Sequence, residues 1–156
     1  MIESTALRNY TMDTGSWKAA MSPCFIKFYG SPLSQSAADA LIPATADAAL
    51  GSATLMCTLT VDNDGVTGMS FYTAAANGVL SKDTTQTVNG TVVATGYYSF
   101  VRLVKSGDTG ALSTTALRAQ LTVGTIGTDV IVTSNYKTLG DDQPLTSAFF
   151  AQPSGA

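Results

Sequence analysis

"LMCTLTV", Leu55–Val61, sets Leu55, Cys57, Leu59 and Val61 on one side of an extended chain and Met56, Thr58 and Thr60 on the other. A period of two marks a strand, because successive side chains of an extended backbone point to opposite faces. With one face apolar and the other rich in hydroxyls, the stretch reads as a half-buried antiparallel strand. The residues that follow, "DNDG" at Asp62–Gly65, supply a turn, and Asp64-Gly65 is the pair expected to take the positive dihedrals of a tight reversal.

The same period runs outward in both directions. "CFIKFYG" alternates Cys24, Ile26 and Phe28 with Phe25, Lys27 and Tyr29. Further strands are expected at "MSFYTA" (69–74), "TQTVNGTVV" (85–93), "YYSFVRLVK" (97–105), "LRAQLTVG" (117–124), "DVIVTS" (129–134) and "TSAFFAQ" (146–152). About eight short strands at this spacing predict a mainly β chain folded as an antiparallel β-sandwich or jelly-roll. No repeat period recurs, and no helix-strand alternation suggests a parallel sheet. Between the first two strands lies "SPLSQSAADALIPATADAALGSA" (31–53), whose few large residues lack a helical period. A stretch of that length is expected to be a binding loop or mobile.

At the front of the chain the period changes. Ser4 suits the cap of a helix carrying Leu7, Tyr10 and Met12, Gly15 suits a left-handed stop, and Ser16 suits the cap of a second turn, "WKAAM", ahead of Pro23. Helices this short are marginal alone in water and must dock on a surface. Residues 1–22 are therefore expected to form a helical arm on a sandwich spanning 23–152, in one domain of 156 residues. The docking residues, and the possible contacts with a neighbouring subunit, are Leu7, Trp17 and Met21.

Composition bears on partners. Hydrophobic residues make up 45% of the chain but charged residues only 12%, about half the share in an average soluble protein. A surface of Thr, Ser, Gly and Ala costs little to desolvate, which suits packing against other chains as a homo-oligomer or in a larger assembly. The formal net charge of -3 lacks the clustered Lys and Arg that displace counterions from phosphates, so no nucleic-acid partner is expected. No stretch approaches the length of a membrane span and no secretory signal opens the sequence, so synthesis in a cytoplasm and no membrane partner are expected. Cys24 and Cys57, each within an apolar run, are expected to be buried free thiols.

Catalytic patterns are weak. The absence of histidine removes the commonest general base and transition-metal ligand. Glu3 is the sole glutamate, so paired-carboxylate chemistry would have to draw on Asp62, Asp64, Asp141 and Asp142, all in turn-like stretches. "DNDG" departs from a calcium loop at Val66, and "GTIGT" near Gly124 lacks the lysine of a phosphate loop. No enzyme, metal or cofactor is expected. Tyr97, Tyr98 and Phe100 beside Arg102 suit either a stacking platform for a sugar or base, or a central strand with aromatics on both faces.

Several of these stretches taken together carry a resemblance: "LRN" (7–9), "DTGSWKAAM" (13–21), "FIKFYGSP" (25–32), the Ala/Asp/Ser-rich loop, "CTLTV" (57–61), "NGVLSK" (77–82) and "YYSFVRLV" (97–104). The chain resembles small structural proteins encoded among the virion genes of tailed bacteriophages. The resemblance implies a virion component made in the host bacterial cytoplasm: a capsid decoration or cement protein that binds the major capsid protein as a homo-oligomer. A baseplate or tail component, or a receptor- or glycan-binding sandwich module, are the alternatives.

Overall fold

In the computed structural model, which describes residues 1–151, the strand that opens the sequence argument is β3 (Thr54–Val61), third from one end of the main path of a largely antiparallel sheet. Its neighbours are β2 (Phe25–Ser31) and β5 (Val88–Thr91). Beyond β2 follow β6 (Gly96–Val104), β7 (Arg118–Gly124) and β1 (Ile2–Glu3), and beyond β5 lies β10 (Asp142–Pro144). Two short strands, β8 (Val130–Ile131) and β9 (Tyr136–Lys137), add to β7 and β6, the former in parallel. A separate pair joins β4 (Val79–Ser81) to β11 (Phe149–Ala151). The chain is mainly β and sandwich-like, with a short helical segment at its front. Gln152, given to the last strand and the end of the sandwich by the sequence, and residues 153–156 lie outside the described residues.

Alternation explains the layering. Ile26 and Phe28 of β2, Val101 and Leu103 of β6, Ala119, Leu121 and Val123 of β7, and Cys57 and Leu59 of β3 share one buried face. Leu7, Met21, Met69, Phe71 and Leu80 cover it and complete the core. Burying this apolar face is the main driving term for the fold. The opposite face of β2, β6 and β7 carries Lys27, Tyr29, Phe100, Arg102, Arg118 and Gln120. Where β2 meets β6 the register shifts between Tyr29 and Gly30, so Ser99 has no partner across the pair. A Cβ on Gly30 would lie 1.8 Å from the Tyr97 carbonyl oxygen, and only glycine permits this approach.

Several sequence expectations are corrected. The reversal after β3 turns on Asp62 and Asn63 (φ 52° and 54°), closed by the Asp64 N–H donating to the Val61 carbonyl at 3.1 Å; of the expected pair Asp64-Gly65, only Gly65 takes a positive dihedral (φ 77°). That is the primed turn whose twist matches a hairpin. Asp64 instead accepts from the Val66 and Thr67 N–H groups. "MSFYTA" forms no regular strand and makes only single bridges, Cys24 with Met69 and Phe71 with Lys82. The turn-like "NYKTLGDDQP" holds two short strands, β9 and β10.

At the front, α1 (Thr5–Asp13) and α2 (Trp17–Met21) form as expected, with Ser4 and Ser16 accepting from the N–H groups of Leu7 and Ala19. Gly15 does not take a left-handed conformation. A Cβ there would come within 3.1 Å of the Tyr10 ring, and the helix ends with the Thr14 and Gly15 N–H groups both donating to the Tyr10 carbonyl.

Candidate functional site

The stretch 31–53, expected to be a binding loop or mobile, lies against the sheet. It carries one short helix, α3 (Gln35–Asp39), and otherwise irregular backbone laid over the polar face of β2, β6 and β7, with Ala38, Pro43 and Ala46 buried. Irregular backbone placed inside a protein leaves carbonyl oxygens without partners, and each needs a donor. The sheet supplies them from side chains.

Arg102 donates from Nη2 to the carbonyls of Ala48 (2.9 Å) and Thr45 (3.3 Å), and from Nε to Gln120 Oε1 (3.1 Å). Gln120 in turn donates from Nε2 to the Pro43 carbonyl at 2.7 Å. Arg118 reaches the Ala46 and Asp47 carbonyls from Nη1, each at 3.4 Å, and forms a two-pronged ion pair with Asp108: Nε to Oδ2 at 2.6 Å and Nη2 to Oδ1 at 3.0 Å. Lys27 donates to the Asp108 carbonyl, and Asp108 Oδ1 also accepts from the Gly110 N–H at 2.7 Å. Two of the chain's three arginines are thus consumed in holding down a covering segment. Guanidinium suits the task, since its fixed fork of donors can meet several oxygens at once.

Burial works against the charge of Asp108, but the hydrogen bonds from Arg118 and Gly110 and the nearby Lys27 outweigh it and hold the carboxyl below its ordinary range. For Arg102, burial and then the charge of Arg118 lower the value, which still leaves a cation at neutral pH. Its positive charge lies 5.8 Å from the centre of the Phe100 ring. The layer has no exposed nucleophile or base, and its chemistry is that of a clasp.

The suggested stacking platform is dismantled by this arrangement. Tyr98 and Arg102 are enclosed, Tyr98 packing on Phe28 within the core at 4.6 Å between ring centres. Phe100 stacks on Tyr29 under the covering segment. Only Tyr97 remains half-buried, meeting the exposed Tyr136 edge-on. Tyr98 and Arg102 offer no face to a sugar or a base.

Leu7 and Met21 are fully enclosed in their own chain, and half-buried Trp17 packs against Phe71 and Phe150 at 5.5 and 4.6 Å. As residues proposed to touch a neighbour, Leu7 and Met21 therefore present no surface, and the segment is stitched inward. Ser4 Oγ donates to the Ala116 carbonyl and accepts from the N–H groups of both Leu7 and Arg118, while the Asp47 carboxylate receives the Thr5 N–H and hydroxyl. Cys24 and Cys57 are free and buried. Burial pushes both thiols up to about 12.

Among the described residues no three His, Cys, Asp or Glu side chains gather as metal ligands would, and no helix is long and apolar enough to cross a membrane.

Two features escaped the sequence. One is an exposed apolar end of the sheet, where β2 finishes and β3 and β6 begin. Leu33, Leu55, Val93, Tyr136 and Leu139 all lie exposed there. Backbone bonds bring these segments together: Val93 N–H to the Met56 carbonyl at 2.7 Å, and Leu139 N–H to Thr95 Oγ1 at 2.9 Å. The five residues come from four separate stretches of chain, so no local run of apolar residues announces the patch. The other is a cavity of about 450 Å³ between the core face and β10, floored by Ile26, Phe28, Leu103 and Leu121, with Gln143 in its wall.

No family model, curated protein or solved structure matches this chain.

Proposed function

We propose that this chain is a structural subunit of a tailed-bacteriophage virion, a capsid decoration protein that binds the lattice of the major capsid protein as a homo-oligomer. The observation that carries the reading is the apolar end formed by Leu33, Leu55, Val93, Tyr136 and Leu139 on a body whose surface has few charges. Scattered exposed apolar residues are ordinary, but a gathering of them marks a surface that another protein covers. A decoration subunit acts by mass action: it binds the assembled shell and not its parts, so it stabilises the shell, and many copies sum weak contacts.

Mixing the purified chain with expanded phage heads and following their thermal disruption tests the reading. Saturable binding and a raised disruption temperature are expected. Leu55→Lys with Val93→Lys should abolish binding while leaving the fold intact, since both side chains are exposed. Absence of binding to intact heads would overturn the proposal.

A further inference from the structure

Two Asn-Gly pairs occur in the chain, Asn77-Gly78 and Asn89-Gly90, and the fold treats them differently. Asn77 and Gly78 are the central residues of a hairpin turn, with φ of 52° and 76°, closed by Ala76 and Val79, which exchange both backbone hydrogen bonds at 2.9 Å. This is the primed turn that Asn-Gly favours. Residues 72–78 are all exposed, and a Cβ on Gly78 would meet nothing within 4 Å. Among the described residues the Gly78 N–H has no hydrogen-bond partner. That single closing pair holds the tip, so local opening there costs little.

Asn89-Gly90 lies inside β5, between β3 and β10. Gly90 is buried and paired with Gln143, and a Cβ on it would lie 2.2 Å from the Thr58 carbonyl oxygen. Asn89 Nδ2 donates to Asp142 Oδ1 at 3.4 Å.

An asparagine side-chain amide is open to attack by the main-chain nitrogen of the next residue, and a following glycine leaves that nitrogen unshielded. We infer that Asn77 is a site of spontaneous deamidation in the folded chain and that Asn89 is not. A solvent base takes the Gly78 amide proton and the nitrogen bonds to Asn77 Cγ. The Cγ–Nδ2 bond then breaks, and Nδ2 leaves as ammonia with a proton from water. Water opens the cyclic imide at either carbonyl. Cleavage of the bond between the Gly78 nitrogen and Cγ gives aspartate, whereas cleavage at the Asn77 main-chain carbonyl gives isoaspartate, whose main chain runs through Cγ. Aspartate tolerates the left-handed conformation as asparagine does, so it keeps the turn and adds one negative charge. Isoaspartate lengthens the main chain by one carbon and breaks the two-residue turn. At Asn89 the same ring closure would require β5 to leave both of its neighbours.

Ageing the full chain in mildly alkaline buffer made with heavy-oxygen water, followed by peptide mapping, tests the inference. The peptide holding Asn77 is expected to gain one heavy oxygen and to split into aspartyl and isoaspartyl forms, while the peptide holding Asn89 stays unchanged. In denaturant both should react. Gly78→Ala should slow the reaction at Asn77, because a methyl group then shields the attacking nitrogen. Asn77 staying intact in the folded chain, equal rates at Asn77 and Asn89 there, or an undiminished rate in Gly78→Ala would each overturn the inference. The comparison of the two asparagines needs no variant.

Discussion

Arg118 and Asp108 meet through two parallel hydrogen bonds, 2.6 and 3.0 Å long, with side chains 2% and 6% exposed. The pair joins β7 to the segment that follows β6, and from the same guanidinium two further contacts reach the segment 43–50. Three separate pieces of chain therefore depend on one ion pair.

Asp108→Ala leaves a buried guanidinium without its counter-charge. Breaking one side of such a pair costs about 3–5 kcal/mol. For a chain of this size each kcal/mol lowers the melting temperature by about 2–4 °C, so a fall of roughly 6–20 °C is expected by thermal denaturation.

Acid should act through the same residue. The folded-state pKa of Asp108 is depressed, so its contribution is complete above the ordinary carboxylate pKa of about 3.9 and is lost as pH falls through the folded value. Urea midpoints measured from neutral to strongly acidic pH should decline in the natural chain and decline less steeply in Asp108→Asn. Equal slopes would show that other carboxylates govern acid unfolding.

Ser4 pins α1 to β7 through one hydroxyl with three partners. Ser4→Ala leaves the Ala116 carbonyl and the Leu7 and Arg118 N–H groups short of a partner in a fully buried place, a loss of about 2–3 kcal/mol. Hydrogen exchange should report it locally, with the amides of Leu7 and Arg118 losing protection before those of β3.

Two glycines should respond differently to alanine. Gly30→Ala drives a Cβ into the Tyr97 carbonyl, so a loss at or beyond the upper end of about 1–3 kcal/mol is expected. Gly65→Ala meets nothing within 4 Å and pays only for its positive φ of 77°, about 1–2 kcal/mol. Chemical denaturation of both variants ranks them.

Cys24 and Cys57 should resist thiol reagents in the folded chain, because burial suppresses the thiolate and blocks access. Titration with an aromatic disulfide reagent is expected to find no reactive thiol under native conditions and both after unfolding in denaturant. Rapid native reaction of either would show that its strand opens readily.

The core strands were legible because their information is local. In "CFIKFYG" each residue's face follows from its neighbours two positions away, and the caps at Ser4 and Ser16 need only the N–H groups three positions on. In "LMCTLTV" the alternation holds from Cys57 onward, but a register shift against β2 leaves Leu55 exposed and Met56 buried, against the expected pattern. The same local reading identified two thiols within apolar runs. It failed where a residue's role depends on distant chain. Leu7 and Met21 show no sign in sequence of whether they face their own sheet or a neighbour, and here they face their own.

What the sequence determined by itself is therefore the β character, the period of the central strands and the short helical start, all consequences of backbone geometry acting over a few residues. Only the tertiary structure decided that 31–53 lies against the sheet as a cover, since its unpaired carbonyls are met by Arg102, Arg118 and Gln120 from strands tens of residues away. Tertiary structure also assembled the apolar end from Leu33, Leu55, Val93, Tyr136 and Leu139, and brought Gln143 and Leu121 to the lining of one cavity. A buried donor can be matched to an acceptor anywhere in the chain, and only the folded backbone determines which two meet.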